Sequence, residues 1–149
     1  MELTNEERRH ILRMQHAHLR RTIKAAQMAA RGALAGMASA GELQVAVSAL
    51  ERELLAHLAE EERLLEPILA KLDAWGPVRL SLLRAEHAHQ RAVLAVLTGR
   101  SAWPASWLVA GRTLSMCDDL ITDMEFEDRE LLDEKLLRDD FILLDASDA

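Results

Sequence analysis

The chain has 149 residues, a length that fits one domain spanning 1–149 and that can bury most of the surface an unfolded chain exposes. Half of its residues are hydrophobic but only 3% are aromatic, none of them tyrosine, and alanine and leucine dominate between charged residues, which is a helical composition. The net charge of −7 repels a phosphate backbone and an anionic membrane surface alike, so neither nucleic acid nor membrane is an expected partner.

Thr4 and Glu7 have capping-box spacing, and Ile11, Leu12, Leu19, Ile23 and Met28 then recur at helical intervals, which predicts a first helix over residues 5–30. The small residues of RGALAGMASAG break the pattern, and a second helix is predicted over 42–72, with Pro67 bending its last turns. DAWGP is a clear stop, and Pro77, suited to a first helical position, opens a third helix that continues to residue 97. After TGRSAWP, Pro104 likewise opens a fourth, whose periodicity runs through CDDLITDMEFEDRELLDEKLL before the tail FILLDASDA, to which no element is assigned. Three mostly short connections between four long helices favour antiparallel neighbours, so the expected fold is all-α, an up-down-up-down antiparallel four-helix bundle. No apolar run approaches the roughly 18 to 20 residues that span a bilayer. The one cysteine, Cys117, forms no internal disulfide and the start MELTNEERRH is too charged for a signal peptide, from which a cytoplasmic location is expected.

The two halves repeat. QHAHLRRTIKAA, from Gln15, aligns without gaps to EHAHQRAVLAVL, from Glu86, pairing His16 with His87 and Arg20 with Arg91. ELLAHLAEEERLLEP, from Glu53, aligns to DLITDMEFEDRELLD, from Asp119, pairing His57 with Asp123 and Glu61 with Glu127. By the three-and-four rule these polar residues lie on the apolar stripes: His16 with Leu12, Leu19 and Ile23; His57 and Glu61 with Leu54 and Leu64; His87 with Leu83 and Leu94; Asp123 and Glu127 with Met116, Leu120 and Leu131. Depth agrees as well. At about 1.5 Å per residue, His16 lies 12 residues past Thr4 and His87 lies 10 past Pro77, while Glu61 is 11 before Leu72 and Glu127 is 10 before Leu137.

Three carboxylates buried in one layer are intolerable unless cations or protons compensate, and a pair of metal ions does so. A His and a Glu four apart on a helix point the same way, so His57 with Glu61 can hold a metal, and Asp123 with Glu127 repeats the geometry. The resulting partition gives one metal His16 and His57 and the other His87 and Asp123, with Glu61 and Glu127 bridging. A second reading of Asp123 is an ion pair with Arg20 or Arg91, which leaves a one-metal or metal-free layer.

A lone His, then HxxxE, then a lone His, then HxxxE on successive helices is the pattern of the hemerythrin-like, HHE cation-binding family. The chain resembles that family through His16, the run from His57 to Glu61, His87 within EHAHQR, and the run from Asp123 to Glu127. It departs from it twice. The oxygen-carrying members have a second histidine one turn after that of the third helix, where Arg91 stands here, and Asp123 replaces the fourth family histidine. The resemblance implies a non-haem protein with two iron ions, or manganese or a mixed pair, that reacts with or senses dioxygen, peroxide or nitric oxide, or handles iron, rather than carrying oxygen reversibly. The harder, more anionic half with Asp123 favours oxidised iron or manganese over softer ions. The alternative from another class is a metal-free helical interaction module in which the polar layer is only a hydrogen-bonded network.

His18 and His89 lie two residues from His16 and His87, about 200° around a helix, and read as surface or flanking groups. Met14, Met28, Met116 and Met124 read as core packing rather than a copper site. Cys117 reads as a buried or flanking thiol, and Trp75, Trp103 and Trp107 as anchors at the bundle ends. The acidic runs at 60–62 and 125–130 read as solvated faces outside the two ligand positions.

Overall fold

The computed structural model describes residues 1–99 and 106–139. They form four helices, α1 (Asn5–Leu34), α2 (Ala40–Leu72), α3 (Gly76–Thr98) and α4 (Ser106–Phe126), and there is no strand among them. α1 opens on the expected capping box: the Glu7 N–H donates to Thr4 Oγ1 (3.1 Å) and the Thr4 N–H to the Glu7 carboxylate (2.7 Å). It continues to Leu34, beyond the expected residue 30. The turn that follows uses Gly36 at φ +70°, in the left-handed region where glycine carries no Cβ penalty. α2 starts two residues before the expected 42, because Ser39 and Glu42 make a second capping box inside the small-residue stretch. Pro67 lies within α2 without ending it. At the next corner a Cβ on Gly76 would collide with the Leu69 carbonyl oxygen, so only glycine allows α3 to start this close to α2. Trp103, Pro104 and the tail from 141 onward lie outside the described residues.

The fourth helix departs from expectation. Its α-helical part stops at Phe126, and a π-helical turn, Glu127–Leu131, replaces the expected continuation to residue 137. The Leu132 N–H donates to the Glu127 carbonyl, five residues back, at 2.8 Å. In an α-helix, residues five apart diverge by about 140°; in a π turn they share a face. Glu127 and Leu132 are therefore both buried. The chain then lies along α1, which holds it by Arg13 to the Leu132 carbonyl (2.8 Å), Arg9 to the Leu137 carbonyl (3.1 Å) and the Asn5 N–H to Asp139 (2.6 Å).

α1 packs against α2 and α4, and α2 against α3. The core falls into two apolar clusters, one containing Leu19, Ile23, Leu54, Leu94, Leu120 and Met124, the other Leu12, Leu64, Leu83, Leu131 and Leu132. Burying each such side chain contributes about 1.5–3 kcal/mol. On every helix the switch from one cluster to the other falls at a buried polar residue: His16 between Leu12 and Leu19, Glu61 between Leu58 and Leu64, His87 between Leu83 and Leu94, Glu127 between Met124 and Leu131.

Some core assignments change. Met14 and Met28 are exposed, since the inward positions of α1 belong to Leu12, Leu19, Ile23, Ala26 and Ala30. Trp75 and Trp107 are likewise mostly exposed, whereas Met116, Met124 and Cys117 are buried. Among the described residues no helix is long and apolar enough to cross a membrane.

Candidate metal centre

α1 carries His16 into the polar layer, α2 carries His57 and Glu61 one turn apart, α3 carries His87, and the π turn carries Glu127; all five are buried. One ligand atom from each of His16, His57, Glu61 and Glu127 lies within 4.8 Å of the others. His16 Nε2 is 3.2 Å from Glu127 Oε2, and Glu61 Oε2 sits between two imidazoles, 3.4 Å from His57 Nε2 and 3.1 Å from His87 Nε2. His16 Nε2 and Glu127 Oε2 are close enough for an ion pair but not aligned for a hydrogen bond, and with Glu61 Oε1 they are buried polar atoms without a partner. Such orphans are rare in native interiors. Here they face one another from three elements, the arrangement of donors around a cation.

The far side of each ring is tied down. Nδ1 of His16 meets Asp128 Oδ1 at 2.7 Å, that of His57 meets Gln15 Oε1 at 3.0 Å, and that of His87 meets Glu62 Oε1 at 2.9 Å. Ionised carboxylates and amide oxygens only accept, so these partners assign a proton to each Nδ1 and turn each Nε2 to the centre, where His87 Nε2 also donates to Glu61 Oε2 at 3.1 Å. Two of the three holders are themselves held. Arg20 donates to Asp128 Oδ2 at 2.6 Å, and Arg91 grips Glu62 through both oxygens at 2.6 and 3.0 Å. Each arginine stands four residues after the histidine it serves.

Glu62 and Asp128 occupy the same register of the repeat, each following one of the paired glutamates. They are therefore not merely solvated faces of the acidic runs. The repeat contained that signal: Glu61 and Glu62 meet opposite nitrogens of His87, as Glu127 and Asp128 meet those of His16. Replacing Asp128 or Glu62 by alanine is expected to weaken metal binding by about 10–100-fold, the usual cost of losing a ligand's outer partner. Competition with a chromophoric chelator measures this, and unchanged affinity would deny the tie its role.

Asp123 is half-buried on α4 and accepts a hydrogen bond from Gln90 Nε2 at 3.1 Å; it is not one of the four residues whose ligand atoms converge within 4.8 Å. Arg20 and Arg91, its alternative partners, are engaged with Asp128 and Glu62 instead. The Gln90 amide also donates to Glu86 Oε1 at 3.2 Å. His18 and His89 are exposed, His18 with Nε2 3.0 Å from Glu53.

Burial in this layer pushes carboxyls up and imidazoles down, and the neighbours decide which groups escape. Burial opposes ionisation of Glu61, but His57 and His87 outweigh it and hold the carboxyl down to about 2. Burial, the Glu61 charge and the Glu86 carboxyl together drive Glu127 well above the ordinary 4.5. Burial would lower His87, yet Glu61 and Glu62 raise it; burial lowers His16 by more than Asp128 restores. Asp128, despite burial, is held low by Arg20 and His16.

Residues 8–134, most of the chain, match the family model described as the hemerythrin HHE cation-binding domain. The chain belongs to that family. No curated protein and no solved structure matches it. As an HHE domain it belongs to a cation-binding class, and His16, His57, Glu61 and Glu127 form a group able to hold a metal ion.

Proposed function

We propose that this HHE domain holds two metal ions, chiefly iron with manganese or a mixed pair as the other options, and reacts with or senses a small molecule such as dioxygen, peroxide or nitric oxide. His16 and His57 serve one ion through Nε2, His87 and Asp123 serve the other, and Glu61 and Glu127 bridge. The observation that carries this reading is the set of three imidazoles with Nδ1 tied and Nε2 turned toward two buried carboxylates, each with one oxygen that lacks a hydrogen-bond partner. The place of Glu61 Oε2, between His57 and His87, supports its bridging role. Contacts that fall in reverse order along α1 and the chain end support the up-down arrangement in one domain: Asn5 with Asp139, Arg13 with Leu132, His16 with Asp128, Ile23 with Cys117.

When bound, an iron pair supplies one- and two-electron chemistry toward oxygen, peroxide or nitric oxide. The residues of the chain set its surroundings. Leu54, Leu58, Leu64 and Leu83 exclude water above and below the layer. Without metal, His87, raised by Glu61 and Glu62, holds a proton beside the Glu61 carboxylate, and ligation releases it. Arg91, where oxygen carriers have a further histidine, is committed to Glu62, which supports turnover or sensing over reversible carriage.

The test is rapid mixing of the reduced, iron-loaded protein with dioxygen, hydrogen peroxide or nitric oxide while near-ultraviolet absorption is followed. Reaction with at least one, faster than with ferrous ion in buffer, is expected. Indifference to all three would remove the functional reading and leave the metal site standing.

A further inference from the structure

The repeat makes a second comparison possible, between the surroundings of its two unlike positions. In the first half, Gln15 accepts from His57 and Leu19 packs in the core. The alignment places Glu86 at the position of Gln15, Asp123 at that of His57 and Gln90 at that of Leu19. One imidazole and one amide oxygen are thus exchanged for two carboxylates and an amide. Gln90, itself buried, donates through one nitrogen to both Glu86 Oε1 (3.2 Å) and Asp123 Oδ2 (3.1 Å), which holds the two carboxylates side by side.

Glu86 also reaches inward. Its carboxyl, like the Glu61 charge, acts to raise Glu127, so carboxyls from α3, the π turn and α2 crowd into one row. Carboxyls meet in this way only if they share protons or a cation. Three buried atoms along the row have no partner: Glu61 Oε1, Glu127 Oε2 and Gln90 Oε1. Glu61 and Glu127 are nine-tenths or more buried.

We infer that Glu86 is a further metal ligand, completing with His87, Glu61, Glu127 and Asp123 an oxygen-rich second position, with Gln90 as the residue that aligns Glu86 and Asp123. The inference rests on the two-ion reading above. The first position, with His16, His57 and two carboxylates, has mixed nitrogen and oxygen donors; the second has one nitrogen among oxygens. Oxygen-rich donor sets suit hard divalent ions such as manganese, and imidazole-richer ones suit iron and zinc. The two ions are therefore held by unequal sites.

The experiment compares wild type, Glu86→Gln, Glu86→Asp and, as an exposed control, Glu125→Gln, each purified as the full chain from iron-supplemented culture. Metal is counted by elemental analysis, and melting is followed before and after chelation. Wild type and Glu125→Gln are expected to hold about two ions, Glu86→Gln about one, and Glu86→Asp an intermediate number. Glu86→Gln keeps the shape and removes one of the crowded carboxyls, so its chelated form should melt no lower than chelated wild type. Manganous ion added to the chelated proteins should show one bound, electron-paramagnetic species in wild type that is weakened at least about tenfold in Glu86→Gln. Two ions in both wild type and Glu86→Gln would overturn the inference while leaving the two-ion reading intact. A chelated Glu86→Gln that melts lower, with its ion count unchanged, would make Glu86 structural. Wild type with less than about one ion per chain would overturn both.

Discussion

Chelating the metal at neutral pH should lower the melting temperature by about 10 °C. An ion present at about a thousand times its dissociation constant stabilises the native state by about 4 kcal/mol. A domain of this size shifts by about 2–4 °C per kcal/mol. The gap should also widen as pH rises from about 5 to 8. Glu127 and Glu86 are raised above the ordinary 4.5 by burial first, Glu127 also by the neighbouring carboxyls. A raised group contributes stability that is fully present below its unfolded value and is lost as pH rises through its folded value. His87, raised from 6.5, has the same sign. Metal ligation displaces these protons, so the loaded form is spared this loss and the chelated form is not. Melting curves of both forms across that range give the comparison, and coincident curves would count against a site that contributes to the fold.

Glu61→Ala and Glu127→Ala should each lose most of the metal, by more than the roughly 10–100-fold typical of an outer partner. Each carboxylate serves both ions in the proposed arrangement, and Glu61 is the group on which His57 Nε2 and His87 Nε2 both converge. Removing it strands two imidazoles in the core, a change that costs about 3–5 kcal/mol where a buried charged network is broken. His18→Ala and His89→Ala, at exposed positions, should keep their metal. Equal loss in all four variants would point to general destabilisation rather than ligation.

The parts of this fold legible from sequence were those governed by periodicity and capping. Thr4 and Glu7 marked the start of α1, and Pro77 the first turn of α3. Ser39 and Glu42 have the same spacing as Thr4 and Glu7, but they sit among small residues that read as a break, so α2 begins earlier than expected. A histidine or glutamate on a leucine stripe was visible as an anomaly of pattern, and the depth count placed His16, Glu61, His87 and Glu127 together; the structure brings His16, Glu61 and Glu127, with His57, within ligand reach of one another, and His87 to Glu61 alone of these. The π turn was not legible, because nothing in a 3.6-residue pattern announces one extra residue. The role of Asp128 was legible in principle, since Glu62 holds the same place beside His87 in the other half of the repeat. Asp123 was placed on the layer by the same periodicity; its tie to Gln90 depends on a cross-helix contact that no spacing along one helix reveals. Met14 and Met28 look like core by residue type, but the inward positions of α1 belong to Leu12, Leu19, Ile23, Ala26 and Ala30.

The most direct measurement is the metal content of the wild-type protein, by elemental analysis after expression with added iron, together with its absorption spectrum. The proposed ligand set of His16, His57, Glu61, His87, Asp123 and Glu127 predicts about two ions per chain, chiefly iron, with near-ultraviolet absorption from a bridged pair. Less than about 0.2 ion per chain under those conditions would contradict the metal centre and leave the buried layer as a proton-sharing network.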